Sequence, residues 1–191
     1  MIKSLKRTTV ILVTTYTLLF GLSKDQESVL QRAYIIGGLT VADDGMTFEK
    51  TISSIALAES SAGKELIGDT RADGELVGLY KSSLGVCQVR LMTAKEVIKK
   101  DKFMNKQFSH LLIDNDNMII KMLLSSPDFN ILIASTYIKM NYNRSLHKGV
   151  KPLFGTISLY NGGWHNEIYY GRVMKRMKHI EKLEELGLFL K

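Results

Sequence analysis

Apolar residues recur at helical spacing along most of the chain, and the clearest pattern ends in a run of small polar residues, Ser60 to Gly63. One predicted helix face is formed by residues at i, i+3, i+4 and i+7: Ile52, Ile55, Ala56 and Glu59. That face is apolar until its last member, which is an acid. Because small polar residues are typical of a helix end, the pattern predicts a helix capped by Thr47 that carries Glu59 in its last turn.

Capping signals and apolar periodicity predict helices in most of the remaining chain. Their expected bounds are about 23–36 (ended by Gly37 and Gly38), 93–100, 114–124, 127–142, 152–160 and 167–186. The expected N-terminal caps are Ser23, Thr93, Ser126 and Asn166.

Helical periodicity fades between Gly63 and Ser83, where several glycines indicate turns. The alternation from Glu75 to Tyr80 favours a short strand. We therefore expect one mainly α domain of the α+β kind, with a loop or β-hairpin inserted after the helix that carries Glu59.

The first 23 residues have the pattern of a secretory signal peptide. Lys3, Lys6 and Arg7 form a basic start, and residues 8–22 are apolar and uncharged. Gly21 and Ser23 are the small residues expected at −3 and −1 of a cleavage site. The alternative is an uncleaved anchor, although the run is shorter than the ~20 residues of a spanning helix. We expect export to the periplasm or beyond the cell, no membrane span after processing, and a mature domain of residues 24–191.

Composition indicates the number of domains and which kinds of functional site to expect. With 191 residues, 45% of them hydrophobic, the chain is long enough for one domain with a sizeable core. Cys87 is the only cysteine, and the four histidines form no pair at metal-ligand spacing. No phosphate loop, nucleophile motif or nucleic-acid signature is present, so we expect no metal, no cofactor and no nucleic-acid partner.

Charge indicates the kind of partner only broadly. The formal net charge of +7 falls to +4 when the three basic residues of the N-terminal segment are removed. A mild positive balance suits an anionic partner, whether cell wall, nucleic acid or lipid headgroups.

Glu59 is the candidate for proton transfer. A carboxyl group held half out of water, beside the negative end of a helix dipole, is harder to ionise, and its pKa is expected to rise toward the range of a proton donor. The alternative is a surface glutamate whose stem covers the core.

Four segments then line up in a recognisable order. They are IALAESSAG at 55–63, SLGVCQVR at 83–90, NILIASTYI at 130–138 and LYNGG at 159–163. Their order and spacing resemble the soluble lytic transglycosylase catalytic domain, a relative of goose-type lysozyme. That family has a helix ending in Glu-Ser, a Gly-x-x-Gln turn, an Asn-Ile…Tyr helix and an Ala-Tyr-Asn-x-Gly motif. The resemblance extends from about Phe48 to Val173 and implies a lysozyme-like fold.

The resemblance implies cleavage of the β-1,4 bond between N-acetylmuramic acid and N-acetylglucosamine in peptidoglycan. The family does this without water, because the C6 hydroxyl of the muramic acid closes onto C1 and leaves a 1,6-anhydro sugar. Glu59 would then act first as acid and next as base. One carboxylate suffices, since an internal hydroxyl replaces the second carboxylate and the water of ordinary glycosidases.

The resemblance also assigns substrate-binding candidates. Gln88 would line the sugar groove, Tyr160 would face the acid with its hydroxyl, and Asn161 would bond the substrate or shape its turn. Asn130 and Tyr137 lie seven residues apart on one helix face, where they reach the groove or pack beneath it.

Two further residues carry open alternatives. Ser60 would orient the acid or cap the helix end. Trp164 would stack on a sugar ring or belong to the core or an interface.

The chain departs from the family pattern in two motifs. Gly-Val-Cys-Gln ending at Gln88 replaces Gly-Leu-Met-Gln, and Leu-Tyr-Asn-Gly-Gly starting at Leu159 replaces Ala-Tyr-Asn-Ala-Gly. Neither change removes a chemical group that the mechanism needs.

Two alternatives to a transglycosylase remain. The segment from Gly63 to Ser82 is longer than in many relatives and contains four acids: Glu65, Asp69, Asp73 and Glu75. One of them could hold a water, which would make the protein a hydrolytic muramidase. The other alternative is a catalytically weak wall-binding component of an envelope secretion or conjugation machine.

Overall fold

A computed structural model describes residues 21–68 and 78–189. Most of these residues are helical, which confirms the mainly α class. The α-helices are α1 Lys24–Leu39, α2 Glu49–Ser60, α3 Leu91–Lys100, α4 Lys102–Phe108, α5 Asp116–Ser125, α6 Pro127–Leu146, α7 Pro152–Tyr160 and α8 Glu167–Glu185. A 3-10 helix spans Ser109–Leu112. The predicted signal peptide lies almost wholly outside the described residues.

Helix α2 lies at the centre of the domain and packs against α1, α6 and α8. It is buried on nearly every side, from Thr51 to Leu57, and not only on the face predicted from periodicity. Two serines tolerate burial because their hydroxyls donate to carbonyls one turn back. Ser53 donates to the oxygen of Glu49 (2.8 Å), and Ser54 donates to the oxygen of Lys50 (2.6 Å). The helix that carries Glu59 is therefore a rigid core element.

Three predicted N-terminal caps are confirmed. Ser23 and Gln26 form a reciprocal capping box at α1. Ser126 directly precedes Pro127, and its hydroxyl accepts from the N–H of Phe129, the third residue of α6. The Asn166 side chain likewise accepts from the N–H of Tyr169, the third residue of α8.

Two predicted caps are wrong. The N-cap of α2 is Phe48, not Thr47, and it makes no side-chain bond. Phe48 is fully buried, and its N–H donates to the oxygen of Gly37 (3.0 Å), so packing fixes the start of this helix. Helix α3 begins at Leu91, two residues before Thr93, with Arg90 as its cap.

Gly37 does not end α1, which continues to Leu39. A Cβ at this position would lie 2.7 Å from the oxygen of Phe48 and 2.8 Å from the Cα of Glu49. The glycine is therefore needed where α1 crosses the start of α2, and not as a stop signal.

The β element lies later in the chain than predicted. Strands β1 (Ser83–Leu84) and β2 (Val89–Arg90) pair antiparallel around the Gly-x-x-Gln turn. Of the predicted strand, residues 75–77 lie outside the described part of the chain, and 78–80 lead into a turn.

Helix α4 was not predicted, although Asp101 gave its signal. The Asp101 carboxylate accepts from the N–H groups of Phe103 (3.0 Å) and Met104 (3.1 Å) and so caps the helix.

No single helix among the described residues has both the length and the apolar composition needed to cross a membrane. Only α5 and α6 taken together do, and they meet at a bend of 104°.

Candidate active site

A cavity of about 560 Å³ lies between the end of α2, the β-hairpin, α6 and the end of α7. A volume of this size fits a ligand-binding cleft. Its lining includes five of the predicted site residues: Glu59, Gln88, Tyr137, Tyr160 and Asn161. The remaining lining residues are Gly68, Ser83, Val89, Arg90, Thr93, Leu159 and Gly162. Segments that are distant in sequence thus meet at one cleft.

Glu59 lies in the last turn of α2 and is half-buried. Directly after it the backbone turns left-handed at Ser61 (φ 53°), Ala62 (φ 57°) and Gly63 (φ 90°). Two consecutive non-glycine residues in this conformation are strained, each by about 1–3 kcal/mol, and such strain concentrates at functional sites. The result is an abrupt helix end that leaves the acid at the negative end of the α2 dipole, facing the cavity.

Ser60 lies beneath the cavity and not in it. Its side chain is buried, and its hydroxyl donates to the oxygen of Val86 (2.6 Å) and accepts from the N–H of Gly63 (2.7 Å). These bonds tie the end of α2 to the turn of the hairpin. The structure thus places Ser60 where it positions Glu59 rather than where it contacts a substrate.

Asn130 anchors the hairpin turn from α6. Its Oδ1 accepts from the N–H of Cys87 (2.8 Å), and its Nδ2 donates to the oxygens of Leu84 (2.8 Å) and Leu123 (3.2 Å). The side chain is completely buried. Gly85 has φ 73°, and a Cβ there would lie 2.2 Å from Nδ2 of Asn130, so the turn requires glycine. Asn130 therefore lies below the cavity and shapes it.

Gln88 occupies the wall of the cavity with a left-handed backbone, φ 51°. Its Nε2 donates to the oxygens of Gly85 (2.9 Å) and Glu65 (3.1 Å), which fixes the side chain. Its Oε1 lies against Gly68. A Cβ added to that glycine would be only 2.1 Å from Oε1. The side chain is thus held in one orientation before any substrate arrives.

Three tyrosine rings cluster beside the cleft. The Tyr160 hydroxyl donates to the oxygen of Cys87 (2.7 Å), and the Tyr160 ring lies 5.9 Å from that of Tyr137 and 6.5 Å from that of Tyr169. Burial raises the pKa of Tyr160 well above its ordinary value, and neighbouring groups including Glu59 add to the effect. Tyr160 therefore remains a neutral hydrogen-bond donor at physiological pH.

Tyr169 is a site residue that sequence reasoning missed. It lies in the first turn of α8 and is 2% exposed. Burial, and next the nearby Glu59 carboxylate, raise the pKa of the Tyr169 phenol. Its place in the stripe Tyr169, Val173, Met177 and Ile180 was a signal for burial. Nothing in that stripe pointed to Glu59, because the two residues meet only through packing of α8 on α2.

The charges of the cleft are few. Among the described lining residues, Glu59 is the only acid and Arg90 the only base. Cys87 lies behind the wall, fully buried, and burial followed by the charge of Glu59 raises the pKa of its thiol. A thiol in such surroundings is not a nucleophile. The arrangement suits proton transfer by one carboxyl group among neutral donors.

No protein-family model, curated protein or solved structure matches the chain.

Proposed function

We propose that the protein is a peptidoglycan lytic transglycosylase with Glu59 as its catalytic acid and base. The observation that carries this proposal is the lining of the cleft, where Glu59 is the only acid among the described residues. Ordinary glycosidases use two carboxyl groups, about 5–10 Å apart, because water or an enzyme nucleophile must also be activated. One carboxyl group suits a reaction in which the substrate supplies its own nucleophile.

The reaction proceeds in two proton transfers. Glu59 first donates its proton to the oxygen of the β-1,4 bond, which breaks from C1 of N-acetylmuramic acid and leaves as the free hydroxyl of N-acetylglucosamine. The C6 hydroxyl of the same muramic acid then attacks C1, and the Glu59 carboxylate takes its proton. The product is a 1,6-anhydro sugar, and Glu59 returns to its starting state. Because the attack is intramolecular, it has the advantage of a high effective concentration.

The other cleft residues hold the sugar and the acid. The Oε1 of Gln88 accepts from a sugar hydroxyl, the Asn161 amide bonds the sugar, and Tyr137 supplies an aromatic surface. Tyr160 and Tyr169 surround the Glu59 carboxyl with phenols that stay protonated. Arg90 offers a positive charge to the carboxylates that peptidoglycan carries.

We further propose a lysozyme-like fold, supported by a buried helix that ends in the acid and by a β-hairpin beside it. The partner is the glycan strand of peptidoglycan, and the place of action is the periplasm or the cell exterior. We also propose that the enzyme opens the cell wall locally for an envelope secretion or conjugation apparatus. Co-purification with such an envelope assembly tests this role.

Mass spectrometry of the soluble products from purified peptidoglycan tests the proposed reaction. We expect muropeptides one water lighter than their reducing counterparts, and none from the Glu59→Gln variant. Glu185→Gln is the matched control, since Glu185 is exposed at the end of α8 and does not line the cleft, and it should retain activity.

Two other outcomes would overturn the proposal. Reducing-end products would indicate a muramidase. Its second carboxylate would then be sought at Glu65 and at Asp69, Asp73 and Glu75, the last three of which lie outside the described residues. The absence of products from both the wild type and the control, with binding to peptidoglycan intact, would indicate a wall-binding component.

A further inference from the structure

The outer face of α8 carries an unusual concentration of positive charge. We define this face by six exposed residues: Ile168, Arg172, Lys175, Arg176, Lys178 and Lys182. The other exposed residues of the helix are Gly171 and the two acids at its ends, Glu167 and Glu185. Ile168, Arg172, Lys175 and Lys182 follow one stripe at i, i+4, i+7 and i+14, and the other two flank it on either side. The face is about 21 Å long at 1.5 Å per residue.

The five cations of this face are not compensated within the described part of the chain. None of them has a carboxylate within ion-pair distance there. Glu181, the acid between them in sequence, is half-buried, and its charge acts on Lys50. The same cations act on His179. Burial, and next the charges of Arg176 and Lys182, lower the pKa of its side chain.

Apolar side chains lie at the N-terminal end of the face. Ile168 is 83% exposed, which is unusual for an isoleucine, and Trp164 is half-buried. Both line an open depression formed by residues 162–168. Gly162 belongs to this depression and also to the candidate active-site cleft, so the two are adjacent.

We propose that the outer face of α8 docks the protein on an anionic phospholipid bilayer, with Trp164 and Ile168 at the level of the headgroups. A helix face is convex and offers no groove for a glycan strand. It suits a flat surface with many negative charges, to which each lysine or arginine adds about 1 kcal/mol of attraction, or roughly fivefold. A partly exposed tryptophan and an exposed aliphatic side chain beside such charges are typical of proteins that lie on the membrane surface.

Docking in this way has a consequence for the cleft. Because the apolar end of the face adjoins Gly162, the cleft would open close to the membrane surface and act on material near the bilayer. This inference is independent of the proposed reaction, since binding to lipid requires neither Glu59 nor the cleft.

Flotation with lipid vesicles tests it. The wild-type protein is expected to float with vesicles of phosphatidylcholine and phosphatidylglycerol much more than with phosphatidylcholine alone. Binding should disappear at about 0.5 M salt, where screening acts within about 4 Å. The N-terminal segment carries three cations of its own, Lys3, Lys6 and Arg7. The contribution of the α8 face is therefore read from variants that all retain this segment.

Two variants of equal net charge complete the design. Replacing Lys175, Arg176, Lys178 and Lys182 together with glutamine should lower affinity for the anionic vesicles at least about tenfold. The matched control replaces four exposed lysines elsewhere, Lys99, Lys106, Lys121 and Lys148, and should retain binding. Ile168→Ser should weaken binding even at unchanged charge.

Three results would overturn the proposal. They are equal flotation with neutral and anionic vesicles, an equal loss in the control variant, and an absence of vesicle binding. In the last case, sedimentation with purified peptidoglycan that is lost only in the α8 variant would assign the face to the wall polymer.

Discussion

Replacement of Asn130 by alanine tests how the cleft is held in shape. The amide of Asn130 makes three hydrogen bonds to the backbone, one to an N–H and two to carbonyls, across 43, 46 and 7 residues of sequence. All three partner residues are buried: Leu84, Cys87 and Leu123. Alanine would leave each of these groups without its partner and would also leave a small void below the turn.

The expected cost follows from these contacts. A buried donor or acceptor left without its partner costs about 1–3 kcal/mol, so three such groups give a loss of about 3–9 kcal/mol. Such a loss is a large part of the 5–15 kcal/mol that stabilises a typical domain. Because Gln88 depends on this turn, cleavage of peptidoglycan should fall as well, even at temperatures where the variant is folded.

Urea unfolding followed by far-ultraviolet circular dichroism measures the change in the free energy of unfolding. Asn105→Ala is the matched control, since Asn105 is exposed on α4, and its change should stay within about 0.5 kcal/mol. A loss below about 1 kcal/mol for Asn130→Ala would refute the view that this amide anchors the turn.

Three further predictions follow from the surroundings of single groups. Tyr169→Phe should shift the pH profile of turnover and lower turnover itself about tenfold, because it removes the buried phenol hydroxyl beside the Glu59 carboxyl, and a loss of about 1.4 kcal/mol of stabilisation is tenfold in rate. Unchanged kinetics would exclude the tyrosine from positioning Glu59. Burial of Asp101 opposes ionisation, but Lys139 and two backbone N–H groups hold the pKa of its carboxyl below the usual value. Its contribution to stability is thus present above the ordinary aspartate pKa, near 4, and is lost as pH falls through the lower folded-state pKa. Asp101→Asn should therefore reduce the acid sensitivity of unfolding, and an unaltered pH dependence would contradict this assignment. The Cys87 thiol should resist iodoacetamide near pH 8 in the folded protein and react in urea, since burial raises its pKa; rapid labelling without urea would show that it is accessible.

Local signals were sufficient for most of the helices. The capping box at Ser23, the Ser126-Pro127 pair and the Asn166 cap each act within one helical turn, so they can be read directly from neighbouring residues. The position of Glu59 in the last turn of its helix was predictable for the same reason. The start of that helix was not, because a contact between Phe48 and Gly37 sets it.

The sequence alone determined that the chain is mainly α, and it pointed to the residues that line the cleft. It left open whether each candidate contacts a substrate or supports those that do. The tertiary structure places Ser60 and Asn130 beneath the cleft, adds Tyr169 beside Glu59, and gathers the cations of α8 on one exposed face. The physical reason is distance along the chain. A helix is stabilised by bonds between near neighbours, whereas the Tyr160 hydroxyl reaches the oxygen of Cys87 across 73 residues, and only the folded core brings such groups together.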